Sequence, residues 1–311
     1  MLRSLISPIV ILLLITVTIL FTDLSLSQLQ IAVLKRLLSI MLITAFACFI
    51  VGELTRNYSQ VDKLWSIMPI LYMGYISVVS NYNLRIVIMT VLVLIWGIRL
   101  TYNFGRKGGY HLLPWKGAED YRWGILREVP FLRGRLRWGL FNLFFISLYQ
   151  HIIILLFILP ALKVLEANEL KPRWIDALAV LFFLGFLFIE SIADQQQYNF
   201  QKEKQSRMKS GITPTGDYAK GFLYTGLWRI VRHPNYSAEQ GIWLIFYFFS
   251  VAATGEWFNW SVIGSLLLLL LFHGSSSLSE KISVNKYPEY QHYISNVPRF
   301  IPFGNFLSNK K

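Results

Sequence analysis

The chain has 311 residues, of which 54% are apolar and only 15% are charged, and 30 basic against 17 acidic side chains give a formal net charge of +13. This composition excludes a disordered chain and a collagen, and the single cysteine, Cys48, excludes a disulfide scaffold. The charged fraction is also well below the roughly 25% of soluble domains. The apolar residues are gathered into long blocks without charge, which indicates a multi-pass membrane protein.

Four charge-free blocks are long enough to cross a bilayer. They hold 19, 21, 25 and 23 residues, and they occupy 4–22, 64–84, 138–162 and 257–279. A helix needs about 20 mostly apolar residues to span the hydrocarbon. Four further spans are predicted at 37–51, 84–100, 174–193 and 240–253. We therefore predict an all-α, polytopic transmembrane helical bundle of about eight spans, with seven or nine as alternatives. We also expect the first span to be retained in the mature protein rather than removed as a signal peptide.

Basic residues predict the orientation of these spans. Two loops, 101–138 and 194–239, carry most of the lysines and arginines and are expected to face the cytoplasm, together with both termini. The expected location is the endoplasmic reticulum in a eukaryote or the cytoplasmic membrane in a bacterium. Nucleic acid is not an expected partner, because the sequence contains no pattern of a DNA-reading helix or a base-stacking sheet.

The signatures of common soluble enzymes are missing. The sequence contains no G-x-G-x-x-G, no G-x-x-x-x-G-K-[ST], no H-E-x-x-H and no G-x-S-x-G. The five histidines, at positions 111, 151, 233, 273 and 292, are not spaced as metal ligands. The sequence therefore predicts no metal site and gives no support to a Rossmann dehydrogenase or a zinc hydrolase.

Polar residues are densest at 226–239, directly before an apolar block. Pro234 suits the first turn of a helix, so we predict that a helix begins near His233 and continues into the membrane. Its N-terminal N–H groups and positive dipole would form an anion site, with Arg229 and Arg232 just ahead of it. The alternative is that the two arginines are interfacial anchors of the positive-inside kind.

The predicted helix also presents a polar face. Tyr236, Glu239, Gln240 and Trp243 follow i, i+3, i+4, i+7 spacing and therefore lie on one side of the helix. The alternative for Tyr236 is an interfacial aromatic residue.

Three further polar clusters are predicted at the same inner side of the membrane. Glu190 and Asp194 share a helix face near the end of the sixth span. Asp62 with Trp65 precedes the third span, and residues 119–123 lie in the first basic loop. Ionisable groups beside or inside a membrane segment are expensive and often functional, although Glu190 and Asp194 at a helix end could also be solvated.

The motifs that carry this polarity resemble a known family. Gly226-Leu-Trp-Arg229, Arg232-His-Pro-Asn-Tyr236, Tyr287-Pro-Glu-Tyr290 and Val297-Pro-Arg-Phe-Ile-Pro302 are similar to the C-terminal domain of the steroid 5α-reductase family. They are most similar to its branch carried under a domain-of-unknown-function label. Three earlier motifs also resemble that branch: Val61-Asp-Lys-Leu-Trp65, Trp96-Gly-Ile-Arg-Leu100 and Glu119-Asp-Tyr-Arg122.

The resemblance implies a domain organisation and an activity. We expect one integral-membrane domain over 1–311, with N-terminal spans in 1–60, a reductase-like region in 61–311 and a cofactor-binding part at about 190–302. The implied enzyme uses NADPH to saturate a carbon–carbon double bond conjugated to a carbonyl, or a sterol double bond. Its substrate would be a steroid-like or other lipid that enters from the bilayer.

The resemblance and the helix-terminus argument together select the site residues. The implied cofactor-binding residues are Asp194, Arg229, Arg232, His233, Asn235, Tyr236 and Glu239. Tyr236 is the first candidate for the catalytic acid, because a phenol in a dry, positively charged site can donate a proton without leaving an unpaired buried charge. Asp62 is the second candidate.

Two other functions remain open. Isoprenylcysteine and phospholipid methyltransferases, which use S-adenosylmethionine, have a similar Arg-His-Pro-x-Tyr stretch. They usually carry two adjacent glutamates after the last span, where this chain has Ser279-Glu-Lys281, which favours the reductase. Steroid reductases have an Arg- and His-rich stretch where this chain has 273–279, so the choice between NADPH and NADH stays open. The third alternative is a non-catalytic lipid-binding protein, and the sequence sets no oligomeric state.

Overall fold

The computed structural model describes residues 2–113, 116–167 and 171–302. All of the regular structure in these ranges is helical and none is strand, which confirms the all-α prediction. The described α-helices are α1 (Leu2–Phe21), α2 (Gln28–Thr55), α3 (Gln60–Leu64), α4 (Met68–Val79), α5 (Leu84–Gly105), α6 (Tyr121–Arg127), α7 (Arg135–Phe141), α8 (Gln150–Leu156), α9 (Leu159–Val164), α10 (Trp174–Lys209), α11 (Asp217–Lys220), α12 (Pro234–Thr254), α13 (Ile263–Lys286) and α14 (Tyr290–Asn296). A π-helix at Asn142–Tyr149 and 3₁₀ turns at Gly226–Arg229 and Trp260–Val262 complete the set.

Five helical segments of the described residues are long and apolar enough to cross a membrane, which supports a multi-pass protein. They are Gln28–Thr55, Leu84–Gly105, Arg135–Val164, Trp174–Lys209 and Trp260–Lys286. A shorter apolar helix lies at Pro8–Phe21. The number of spans and the orientation of the termini stay predictions.

The block 64–84 is not the single spanning helix that its composition predicts. The chain turns between α3 and α4, and α4 has 12 residues, which extend only about 18 Å at 1.5 Å per residue. At the turn, the hydroxyls of Ser66 and Thr101 are 2.7 Å apart. Gly97 of α5 allows this close approach, because a Cβ there would lie 2.7 Å from the Ser66 carbonyl oxygen.

The chain divides into two compact units that are each discontinuous in sequence. Unit 1 contains Met1–Leu181 and Leu244–Leu268, and unit 2 contains Phe182–Trp243 and Leu269–Lys311. In unit 1, α2 packs against the π-helix, α8 and α9. Gln30 near the start of α2 donates from Nε2 to the Leu162 carbonyl at 2.9 Å.

A string of polar contacts joins the π-helix to α2 inside unit 1. Asn142 donates from Nδ2 to Glu53 at 2.8 Å, and the Ser147 hydroxyl donates to Asn142 Oδ1 at 3.3 Å. Farther along the same segment, His151 Nδ1 lies 2.7 Å from the Ser147 carbonyl oxygen, and its Nε2 lies 3.9 Å from Cys48 Sγ. These side chains are polar groups in segments that composition assigns to the membrane, and most of them are buried.

Candidate functional site

The start of α12 lies where the sequence predicts it. Pro234 is the first residue of the helix, and Arg232 and His233 immediately precede it. Proline fits this position because the first helical N–H has no partner inside the helix. The sequence-predicted site residues from Arg229 to Glu239 are therefore grouped around one helix N-terminus in unit 2.

This helix N-terminus is partly covered by the C-terminal segment 297–302. The N–H groups of Arg232 and His233 donate to the carbonyl oxygens of Pro298 and Arg299, at 2.9 and 3.2 Å. The Ser237 hydroxyl donates to the Phe300 carbonyl at 2.5 Å. In the first turn, the N–H groups of Asn235 and Tyr236 make no hydrogen bond to a described residue. The anion site predicted from the sequence is therefore narrowed to these two donors.

A buried glutamate organises the charges beside the helix start. Glu280 of α13 is 4% exposed, and its Oε1 accepts from Arg232 Nε at 2.7 Å. His233 Nε2 lies 3.0 Å from the same oxygen, and Arg299 Nη2 donates to Oε2 at 2.6 Å. The guanidinium of Arg232 also donates to the carbonyls of Ile294 and Val297. Arg232 and His233 are thus held inside unit 2.

Sequence reasoning did not identify Glu280 and Arg299 as site residues. In the sequence, Glu280 stands out only as a single glutamate where methyltransferases have two, and Arg299 only as part of a family motif. A signal was present, since Glu280 is a single carboxylate on the polar end of a spanning helix, where an ionisable group is expensive without partners. Its partners lie far away in sequence, so the contact itself could not be predicted.

The 3₁₀ turn before α12 is fastened to α10. Gly226 has φ +61°, and a Cβ there would lie 2.6 Å from the Gln196 side chain, so this position needs glycine for both reasons. Gln196 Oε1 accepts from the Leu227 N–H at 3.1 Å, and Trp228 Nε1 donates to the Ala193 carbonyl at 3.2 Å. At the end of this turn the side chain of Arg229 is exposed, unlike that of Arg232.

Asp194 and Asn235 come together between α10 and α12. Asn235 Nδ2 donates to Asp194 Oδ1 at 3.3 Å, and Asp194 is 4% exposed. Because Asn235 donates from Nδ2 in this contact, its amide oxygen points the other way. Asn235 Oδ1 is then left buried without a hydrogen-bond partner among the described residues. Gln197 Oε1, one helical turn after Asp194, is in the same condition.

The polar face of α12 forms as predicted, but part of it is satisfied internally. Glu239 accepts from Trp243 Nε1 at 2.9 Å, and Gln240 donates to the Tyr236 carbonyl at 2.9 Å. The ring of Tyr236 stacks on His233 with an interplanar angle of 11°, and it also contacts Phe272. The Tyr236 hydroxyl makes no hydrogen bond to a described residue, so it is available to a ligand.

Two of the other predicted clusters meet in unit 1. The Asp120 N–H donates to the Ser59 hydroxyl at 2.8 Å, and Glu119 accepts from the Tyr58 N–H at 2.9 Å. Asp62 follows in α3, and burial raises the pKa of its carboxyl group, with Asp120 raising it further. Asp62 therefore belongs to unit 1, whereas Tyr236 belongs to unit 2.

No metal site is formed by the part of the chain that the structure describes. In these ranges, no group of three or more His, Cys, Asp or Glu side chains is placed to hold an ion.

Comparisons with known proteins identify the family. Residues 48–297 match the family model described as a protein of unknown function, DUF1295. The chain is 38% identical over 262 residues to the uncharacterized protein C594.04c of Schizosaccharomyces pombe, covering 80% of this chain and 73% of that protein. No solved structure matches the chain. The chain belongs to the DUF1295 family, so the part of the resemblance that concerned a domain-of-unknown-function family is confirmed.

Proposed function

We propose that this DUF1295 protein is a membrane-embedded oxidoreductase that uses NADPH to reduce a carbon–carbon double bond of a steroid-like or other lipid substrate. The observation that carries the proposal is the pair formed by Asp194 and Asn235 at the start of α12. In Rossmann proteins an acidic side chain accepts hydrogen bonds from ribose hydroxyls of the dinucleotide, and the nicotinamide ribose of NADPH keeps its hydroxyls free. A buried carboxylate oriented by a neighbouring amide suits that role.

The residues around this pair fit a dinucleotide. Asn235 Oδ1 and Gln197 Oε1 are buried acceptors that lack a donor among the described residues, and ribose hydroxyls and a carboxamide supply donors. The phosphates would lie by the exposed guanidinium of Arg229 and the N–H groups of Asn235 and Tyr236. Arg232 would stabilise the site indirectly, by its hydrogen bond to Glu280. Its direct contact with phosphate stays a prediction.

Bound NADPH would supply a hydride to the β-carbon of the activated double bond. Tyr236 would then protonate the α-carbon or polarise the carbonyl, because its hydroxyl makes no hydrogen bond to a described residue and its ring is held between His233 and Phe272. Asp62, the second candidate named from the sequence, belongs to unit 1 and stays a prediction.

The membrane character of the protein supports a lipid substrate. Five segments of the described residues are apolar enough to cross a membrane, and molecules dissolved in the bilayer reach a protein of this kind most easily. We propose that the protein works in the endoplasmic reticulum of a eukaryote or in the cytoplasmic membrane of a bacterium. A substrate screen in which only water-soluble carbonyl compounds react would contradict the lipid assignment.

A methyltransferase that uses S-adenosylmethionine is the second candidate, because this molecule also carries a ribose that Asp194 and Asn235 could bind. Binding of NADPH, NADH and S-adenosylmethionine to the full-length protein in detergent, measured by thermal shift and calorimetry, separates the candidates. Stabilisation by NADPH supports the reductase, stabilisation by S-adenosylmethionine alone supports the methyltransferase, and no binding leaves a non-catalytic lipid-binding protein.

Two variants locate the binding site. Asp194→Asn is expected to weaken NADPH binding about tenfold, because a hydrogen bond to a charged group contributes roughly 1.5 to 3 kcal/mol. Glu203→Gln is the matched control, since Glu203 lies on the same helix and makes only a half-exposed pair with Arg207. Equal affinities of the two variants would place the ribose elsewhere.

A further inference from the structure

His233 is buried, and one of its two ring nitrogens is already committed. It is 7% exposed, and its Nε2 lies 3.0 Å from Glu280 Oε1. Arg232 and Arg299 bind the same carboxylate, at 2.7 and 2.6 Å, and hold it in the ionised form. An ionised carboxylate has no hydrogen to donate, so the proton of this hydrogen bond resides on His233 Nε2.

The charges around the ring keep it neutral. Burial lowers the pKa of the His233 imidazole, and the positive charges of Arg232 and Arg299 lower it further, while Glu280 opposes them. A protonated ring would add a third positive charge beside a single carboxylate. Tyr236, which stacks on the ring, is the other titratable neighbour. A neutral ring that is protonated on Nε2 carries a lone pair on Nδ1.

Nδ1 is left as an unused acceptor. None of the described residues forms a hydrogen bond with it, although more than nine-tenths of His233 is buried. Asn235 Oδ1, two residues along the chain, is likewise an acceptor without a donor. The start of α12 therefore presents acceptors beside its two remaining N–H donors.

We infer that Glu280 is a positioning residue that fixes His233 as the Nε2-protonated tautomer, so that Nδ1 accepts a hydrogen bond from a hydroxyl or amide N–H of the ligand. A phosphate diester has no hydrogen to donate, so His233 is assigned to the ribose or carboxamide end of a nucleotide rather than to its phosphates. This identity of the ligand rests on the proposed function. The tautomer itself does not.

The tautomer can be measured without a ligand. In ¹⁵N NMR of the histidine-labelled, full-length protein in detergent, protonated and unprotonated ring nitrogens have separate chemical shifts. The signal of His233 is assigned by replacing the other four histidines in turn with glutamine. We expect a neutral ring protonated on Nε2 at neutral pH. A proton on Nδ1, or on both nitrogens, overturns the inference, and this result does not depend on any variant of Glu280.

Glu280→Gln tests the positioning role. An amide can either donate or accept, so we expect a mixture of His233 tautomers and a loss of NADPH affinity of about fivefold, the size of one neutral hydrogen bond. Glu289→Gln is the control, because Glu289 is exposed and its ion-pair partner among the described residues is Lys220. If the parent binds NADPH and Glu280→Gln changes neither tautomer nor affinity, the inference is wrong. If the parent binds neither NADPH nor S-adenosylmethionine, the proposed function is wrong while the tautomer measurement still decides the role of Glu280.

Discussion

Arg85 at the start of α5 and Asp176 at the start of α10 form a buried ion pair with two hydrogen bonds. Arg85 Nε donates to Asp176 Oδ1 at 2.8 Å, and Nη2 donates to Oδ2 at 3.0 Å. The Lys171 carbonyl accepts from the same guanidinium at 2.7 Å, and the Arg173 N–H donates to Asp176 at 2.6 Å. Both charges are therefore satisfied within unit 1.

Replacing one member of this pair is expected to destabilise the protein strongly. Arg85→Met leaves Asp176 charged and buried, a change that costs about 3 to 5 kcal/mol in the free energy of unfolding. Arg133→Met is the control, because Arg133 pairs with Glu128 at a side chain that is 79% exposed, where a pair contributes roughly 0 to 1 kcal/mol. Chemical unfolding in detergent measures the free energy of unfolding of both variants. Equal losses would show that the buried pair stabilises the protein no more than the exposed pair does.

Two glycines of α13 should respond in opposite ways to alanine. A Cβ at Gly264 would lie 2.0 Å from the Leu156 carbonyl oxygen, which is backbone and cannot move aside, whereas nothing lies within 4 Å of a Cβ at Gly274. Gly264→Ala is expected to cost about 1 to 3 kcal/mol. Gly274→Ala is expected to be neutral or to stabilise by up to about 1 kcal/mol through helix propensity. Thermal unfolding of the two variants checks the contrast, and a tolerated Gly264→Ala would contradict this helix packing.

Asp62 should make stability depend on pH. Because burial raises the pKa of its carboxyl in the folded protein, its favourable contribution is present below the unfolded value of about 4 and is lost as pH rises through the folded pKa. Asp62→Asn cannot ionise, so it avoids the cost that burial places on the carboxylate; it should raise the unfolding temperature at neutral pH, and the gain should shrink towards pH 4. Glu128→Gln, at a side chain that is 79% exposed, is the control. A gain that does not vary with pH would contradict the assignment.

Arg229 and Arg232 should separate into a binding role and a stabilising role. Arg232→Ala removes a buried partner of Glu280 and is expected to cost about 3 kcal/mol in the free energy of unfolding. Arg229→Ala should leave stability within about 0.5 kcal/mol, because its side chain is exposed. It should weaken NADPH binding about tenfold, with a smaller effect at high salt. A folded Arg232→Ala protein of unchanged stability would contradict the structural role.

The sequence predicts those parts of the site that depend on residues adjacent along the chain. Pro234 and the residues on both sides of it identify the start of α12, because proline has a defined place in a helix. The partnership of Arg232 with Glu280 joins residues 48 positions apart. The sequence indicates that Glu280 needs a partner, but it does not show which basic residue along the chain lies beside it, so that contact could not be predicted.

The spans are predicted less completely than the helical fold. Composition assigns 64–84 to one membrane helix, since it contains no charge. The break between α3 and α4 depends instead on the contact of Ser66 with Thr101 and on the small residue Gly97, which belong to a different part of the chain. A hydropathy pattern contains no information on such contacts.

The π-helix at Asn142–Tyr149 explains how Asn142 and Ser147 reach the same side of their segment. Asn142 and Ser147 are five positions apart, and in a continuous α-helix that spacing would turn their side chains about 140° away from each other. A π-turn closes its hydrogen bonds over five residues, so the Ser147 hydroxyl reaches Asn142 Oδ1, and Asn142 Nδ2 donates in turn to Glu53 of α2. Removing one residue from this stretch would restore α-helical geometry, and the wide turn that brings Asn142 and Ser147 together would be lost. The number of residues in this segment is therefore as important as their identity for the contacts that join Ser147, Asn142 and Glu53.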